Sequence, residues 1–177
     1  MMAKARKRQT NPQELSDEAK LYNQVVACAE LGNIQLIHIN FDVQPRYFLE
    51  EPDDEEQANL GYEISVDETH YDPGEGMAAC MMSFDVSAGD SQGAALQCKA
   101  KYAVSYRIGE VCNEQAVETF LRRVGVFACY PYFRGLFAQI DWAANTHLPP
   151  LPIHKESRGK KSFPGEADSE QATLADA

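Results

Sequence analysis

The chain has 177 residues, 44% of them apolar, and a formal net charge of −11. That length supports one domain with its own core, and that charge argues against a broadly basic nucleic-acid-binding surface. No apolar run approaches the roughly 20 residues that span a bilayer. The basic start has no apolar segment behind it, so neither membrane insertion nor a secretory signal is expected, and the chain reads as cytoplasmic.

The run KARKR, Lys4 to Arg8, reads as a solvated arm within a disordered basic tail, residues 1–10. A folded domain is expected over 11–153. It opens on a helix: Asn11 suits the N-cap, Pro12 the first helical position, and Glu14 can reach back to the cap. Leu15, Ala19, Tyr22, Val26 and Ala29 form its apolar stripe, and Gly32 is its expected stop.

The period then changes to two. Ile37, Ile39, Phe41 and Val43 alternate with His38, Asn40 and Asp42. Leu60, Tyr62, Ile64 and Val66 alternate with Gly61, Glu63, Ser65 and Asp67. Cys80, Met82, Phe84 and Val86 share one side of a third segment, and Leu96, Cys98, Ala100, Tyr102, Val104, Tyr106 and Ile108 one side of a fourth. Such segments predict an antiparallel sheet with one buried and one wet face. The turn-rich THYDPGEG and AGDSQG suit hairpins, whereas QPRYFLEEPDDEEQAN is long enough for a crossover and carries Tyr47, Phe48 and Leu49.

After Gly109 the period is helical again. Asn113 can cap, and Val117, Phe120, Leu121, Val124 and Ala128 form a stripe that Tyr132, Phe133, Leu136, Phe137 and Ile140 continue. One long helix bent at Pro131 is expected, ending in the extended HLPPLPI. Residues 154–177 are polar and read as a disordered tail. The fold class is α+β: a four-stranded antiparallel sheet with a long crossover after its first strand, packed by an N-terminal and a long C-terminal helix.

No catalytic constellation assembles. His38, His70, His147 and His154 are scattered, and the five cysteines, Cys28, Cys80, Cys98, Cys112 and Cys129, have no CxxC spacing. They read as buried, reduced thiols. The acidic run Asp53–Glu56 lacks the spaced ligands of a calcium loop, and no glycine-rich phosphate loop is present. Neither enzyme activity, a metal nor a cofactor is therefore expected. What stands out is surplus apolar surface: the aromatic crossover, the extended LPPLPI, and Met77, Met81 and Met82, of which Met81 falls on the wet strand face. Surplus of this kind points to core, oligomer interface or a partner-binding surface.

The stretch GVFACYPYFRGLFAQIDWAANTHLPPLPI resembles the long-helix region of the SecB family of export chaperones, where an aromatic–Pro–Tyr–x–Arg stretch continues as an apolar helix toward a proline–leucine segment. The strand order, with a long first link, is similar too. The resemblance implies an ATP-independent holdase, a homotetramer built as a dimer of dimers, with apolar grooves for non-native polypeptide. The corresponding client-binding positions are Tyr47, Phe48, Leu49, Met81, Leu148, Leu151 and Ile153; Tyr130, Tyr132, Phe133, Leu136, Phe137 and Ile140 form an oligomer or groove helix.

Two features depart from the secretory members. HKESRGKKSFPGEADSE stands where those members carry an apolar lid, and Lys99 follows Cys98 where they carry an acidic residue that helps recruit the SecA motor. The docking face, with Asp42 and Lys99, is thus expected to bind SecA weakly or not at all. The N-terminal helix resembles stress-related members, some of which guard toxin–antitoxin pairs, so a dedicated adaptor or antitoxin-stabilising chaperone is the alternative to a general holdase.

Overall fold

The computed structural model describes residues 15–49, 59–90 and 93–154. Asn11, Pro12, Glu14, the basic run, the acidic run Asp53–Glu56 and the tail beyond His154 lie outside the described residues. The elements in chain order are α1 (Asp17–Cys28), β1 (Ala29–Val43), α2 (Arg46–Leu49), β2 (Asn59–Asp72), β3 (Met77–Asp90), β4 (Gly93–Ile108) and α3 (Glu114–Ala144). The sheet is antiparallel in the order β1-β4-β3-β2. The chain leaves β1 at one edge and re-enters as β2 at the other, the crossover expected from the long first link.

Helix α1 is capped by Ser16, whose Oγ accepts the Ala19 N–H at 3.3 Å, and Asp17 and Glu18 place negative charge in its first turn. It buries Val25, not the expected Val26, which is 48% exposed. The reason is that α1 packs along α3 through a narrow contact, in which Val25 shares a face with half-buried Tyr22 and Cys28. The Tyr22 ring lies under the Arg123 guanidinium, 5.1 Å from its centroid.

Gly32 does not stop the helix; α1 passes directly into β1 at Ala29. Leu31 pairs with Tyr106 and Asn33 with Ser105, so Gly32 is an extra residue in the ladder. A Cβ there would sit 3.2 Å from Ser105 Oγ and 3.3 Å from its carbonyl oxygen, which is why the bulge carries glycine. Ile37 occupies a second bulge, between Leu36 and His38. The bulge breaks the expected alternation: Ile34 and Leu36 before it, and Ile39, Phe41 and Val43 after it, lie opposite the inward residues of β4, while Ile37 is 54% exposed.

The two central strands follow their alternation. Cys80, Met82, Phe84 and Val86 of β3 and the whole inward series from Leu96 to Ile108 of β4 are buried. Strand β2 also carries a bulge, at Asp67, beyond which Thr69 and Tyr71 lie opposite the buried Cys80 and Ala78.

Helix α3 covers this face, packing on β2, β3 and β4. Asn113 caps it as expected, its Oδ1 accepting the Ala116 N–H at 3.1 Å. The helix runs on through Pro131, an exposed residue. Proline removes the donor for the Phe127 carbonyl, but buried Tyr130, Phe133 and Phe137 hold both sides of the interruption to the sheet. Phe133 stacks on Phe84, centroids 4.7 Å apart, and Tyr130 and Tyr102 also flank Phe84. Burying one such aromatic side chain contributes roughly 1.5–3 kcal/mol.

Two helix glycines make opposite predictions. A Cβ on Gly125 would lie 2.9 Å from Cys80 Sγ, whereas one on Gly135 would meet nothing within 4 Å. Gly125→Ala is expected to destabilise the fold by about 1–3 kcal/mol through overpacking. Gly135→Ala is expected to stabilise it by up to about 1 kcal/mol through helix propensity. Urea denaturation of the two variants checks both signs.

Candidate functional site

The end of α3 turns sharply, and one carboxylate organises the turn. Asp141 Oδ1 accepts from Thr146 Oγ1 at 2.6 Å and from the Leu148 N–H at 3.0 Å, while its main-chain carbonyl accepts the Thr146 N–H at 3.3 Å. Asn145 and His147 take left-handed backbone, with φ of 56° and 55°. The chain thereby doubles back along α3. Leu151 enters the core at 2% exposure, and the Tyr130 hydroxyl donates to the Pro152 carbonyl. Between the helix and the returning proline segment is a hollow of about 450 Å³, walled by Arg134, Gly135 and Ala138 on one side and Leu148, Pro149 and Pro150 on the other.

The crossover helix α2 is fixed at its start, to this turn through Tyr47 and to the beginning of β4 through Arg46. The Tyr47 hydroxyl donates to the Thr146 carbonyl at 2.7 Å. Burial and the nearby Asp141 carboxylate push the Tyr47 phenol above its ordinary range. Arg46 Nη2 donates to the carbonyls of Gly93 at 2.9 Å and Ala94 at 3.1 Å, and its Nε donates to Gln44 Oε1. The Gln44 N–H in turn donates to the Ala95 carbonyl at 2.8 Å. With its polar side so engaged, this single turn presents Phe48 at 55% exposure and Leu49 at 80%. The Tyr47 and Phe48 rings meet edge-to-face at 5.4 Å, which limits the freedom of the exposed ring.

The residues singled out from sequence therefore fall into distinct places. Tyr47 is joined to the turn before Leu148, and both are half-buried; Phe48, Leu49 and Ile153 are exposed; Leu151 is buried. Met81 lies apart, on the face of the sheet opposite α3, paired between Glu68 and Ala103. On the long helix, Tyr130, Phe133 and Phe137 belong to the core, Leu136 and Ile140 are half-buried, and Tyr132 is exposed.

Sequence reasoning passes over Asp141, Arg46 and Trp142, the last 84% exposed on the final turn of α3. Asp141 does carry a signal. An acidic side chain in the last turn opposes the helix dipole, so its presence there calls for a local partner.

The open face of the sheet is polar. Lys99 pairs with Asp85 at 3.1 Å and Lys101 with Asp67 at 3.3 Å. A hydrogen bond from Ser83 first, with help from Ser65 and Lys101, holds the Asp67 carboxyl below the usual carboxylate range. Asp42 is exposed on the same face, beside a shallow hollow of about 400 Å³ that includes His38, Asn40, Glu63 and Lys99. Charges of both signs interleave here, and exposed pairs of this kind contribute only about 0.2–1 kcal/mol each. Among the described residues no cluster of three or more His, Cys, Asp or Glu side chains is placed to hold a metal ion, and no helix is long and apolar enough to cross a membrane.

Neither a protein-family profile nor a curated protein sequence matches the chain. Among solved structures, it is similar to the Mycobacterium tuberculosis Rv1957 SecB-like chaperone, determined in complex with a ChAD peptide from the Rv1956 HigA1 antitoxin. The identity is 18% and the TM-score 0.59, over 78% of this chain and 98% of that one. A Streptococcus agalactiae protein of unknown function overlaps at 9% identity and a TM-score of 0.36, over 72% of this chain and 97% of that one, a likeness too loose to bear on the fold. At this level of identity the first likeness speaks to architecture: the crossover sheet with its long covering helix is the fold of a SecB-like chaperone.

Proposed function

We propose that this chain is an ATP-independent holdase, a binding protein and not an enzyme, which captures non-native polypeptide at the corner between α2 and the end of α3. The observation that carries this reading is the fixed exposure of Phe48 and Leu49. Apolar side chains usually gain by collapsing onto their own domain. Here Arg46 and Tyr47 tie the backbone down on the polar side, so both side chains stay out. Preorganised apolar anchors spare a partner part of the ordering cost of binding, and the hollow lined by Leu148, Pro149 and Pro150 offers further apolar surface at the end of α3.

A second reading is a dedicated adaptor or antitoxin-stabilising chaperone for one partner. The likeness to a SecB-like chaperone solved with an antitoxin peptide favours it. The two readings share the corner and differ in breadth. Suppression of aggregation for several unrelated unfolded clients supports the holdase, whereas protection of one partner only supports the adaptor.

The corner is tested by Phe48→Ser with Leu49→Ser. Both side chains are exposed, so circular dichroism is expected to stay native while client binding weakens at least tenfold, about 1.4 kcal/mol. Unchanged protection from aggregation by the double variant rules out this site. Leu151→Ser is the contrasting control, expected to damage the fold because Leu151 is buried.

A second apolar surface supports assembly. Leu21 and Val26 of α1 and Leu31, Leu36 and Ile37 of the edge strand β1 are all more than a third exposed. A long apolar edge invites pairing with another copy, and a homotetramer built as a dimer of dimers accounts for it. Light scattering at micromolar concentration is expected to give roughly four times the chain mass of 19.7 kDa; a monomer mass overturns this.

Docking to the SecA motor is expected to be weak, because Lys99 and Lys101 offset the acidic residues of the open face. Calorimetric titration should show Lys99→Glu binding SecA more tightly than wild type, with the gain larger at low salt. Tight binding by wild type that the substitution leaves unchanged restores an export role through another surface.

A further inference from the structure

Two of the five cysteines face each other. Cys28 Sγ and Cys112 Sγ are 3.4 Å apart, a thiol–thiol contact. Cys28 is the last residue of α1, and Cys112 lies just before the cap of α3. Neither position is loose. The Cys28 carbonyl accepts the Gly109 N–H at 3.0 Å, and the Cys112 N–H donates to the Tyr71 hydroxyl at 3.1 Å. Both backbones are thus tied to the same end of the sheet, and an S–S bond of about 2.05 Å needs only a small approach of the sulfurs. The other thiols, Cys80, Cys98 and Cys129, are buried in the core.

We propose that Cys28 and Cys112 are a modification site: a dithiol that a peroxide converts into an intramolecular disulfide, and that small thiols restore. Cys28 is half-buried and Cys112 buried, so Cys28 is the sulfur that an oxidant reaches first. Its thiolate attacks one peroxide oxygen, the O–O bond breaks, and the departing hydroxide leaves as water with the proton lost from the Cys28 thiol. Cys28 is then a sulfenic acid. The Cys112 sulfur attacks Cys28 Sγ, the S–O bond breaks, and hydroxide leaves as a second water with the Cys112 proton. Two thiols lose two electrons together, and one peroxide is reduced to two waters. Burial, the contact with Cys28 and the charge of Glu110 push the Cys112 thiol up to about 11, which slows its attack, and its place 3.4 Å from Cys28 Sγ is what makes it the resolving partner.

The bond closes the loop from residue 28 to residue 112, which contains all four strands, and it pins the junction of α1 and β1 to the start of α3. A cross-link over so long a loop restricts the unfolded chain strongly. The site stands independently of what the protein binds.

The test uses the full chain. After treatment with a modest excess of hydrogen peroxide and removal of the oxidant, thiols titrated under denaturing conditions are expected to fall from five to three. Non-reducing peptide mapping should join the Cys28 and Cys112 peptides within one chain, and the melting temperature should rise by several degrees. Dithiothreitol should reverse both changes. Cys28→Ser should keep its four thiols under the same treatment. Five surviving thiols in wild type, a link to another cysteine or between chains, or oxidation of Cys28 to sulfinic acid without a link each overturns the proposal. The mapping is done on wild type, so its outcome does not depend on a variant folding.

Discussion

The close seating of α3 on the sheet governs the rest of the molecule. At Gly125 the helix backbone comes so near β3 that even a methyl group would press on Cys80 Sγ. Eight residues further on, Phe133 lies flat on Phe84. Between them these two points fix the height and direction of a 31-residue helix. A proline in its middle is tolerable only because the helix is held from outside. Packing on both sides of the gap offsets the lost backbone bond.

That seating decides where α3 ends, and therefore where the apolar corner forms. Asp141 serves as the hub of the turn, binding the Thr146 hydroxyl and the Leu148 amide. The Thr146 carbonyl it helps to orient is the acceptor for Tyr47. A chain of contacts thus runs from the sheet through the helix end to a single helical turn in the crossover. Phe48 and Leu49 owe their exposure to polar bonds made by their neighbours, and a surface that looks like surplus is held in place by main-chain carbonyls.

Much of this architecture is legible in the sequence, and the omissions have a common cause. Inward residues of β3 and β4 can be picked out one by one, because both strands are central and alternate without interruption between Cys80 and Val86 and between Leu96 and Ile108. The Asn113 cap is equally readable, since capping is local. Gly32 and Ile37 escape a reading of one strand at a time because a bulge is a property of two strands, and the residue that crowds Gly32 is Ser105. Val25 and Val26 cannot be separated without knowing that α1 rests on α3. At the candidate site, the aromatic crossover announces Phe48 and Leu49, but the burial of Leu151 and the work of Asp141 depend on the chain doubling back. Asn145 and the prolines after it announce where the helix stops, but not the direction in which the chain then returns.

The strand order has a consequence for how the molecule is born. β1 is the first strand to leave the ribosome, yet the strand it pairs with is β4, the last. Until β4 is made, β1 has no ladder to join, and its Ile34, Leu36, Ile39 and Phe41 have no strand beside them. The hairpin β2–β3 forms meanwhile from neighbouring sequence, and the sheet closes only when the most distant pairing is achieved, a costly ordering for the chain. In each newly made copy β1 therefore waits without its ladder partner until β4 has been made. In that interval its first strand has the character of the ligand proposed for the finished protein.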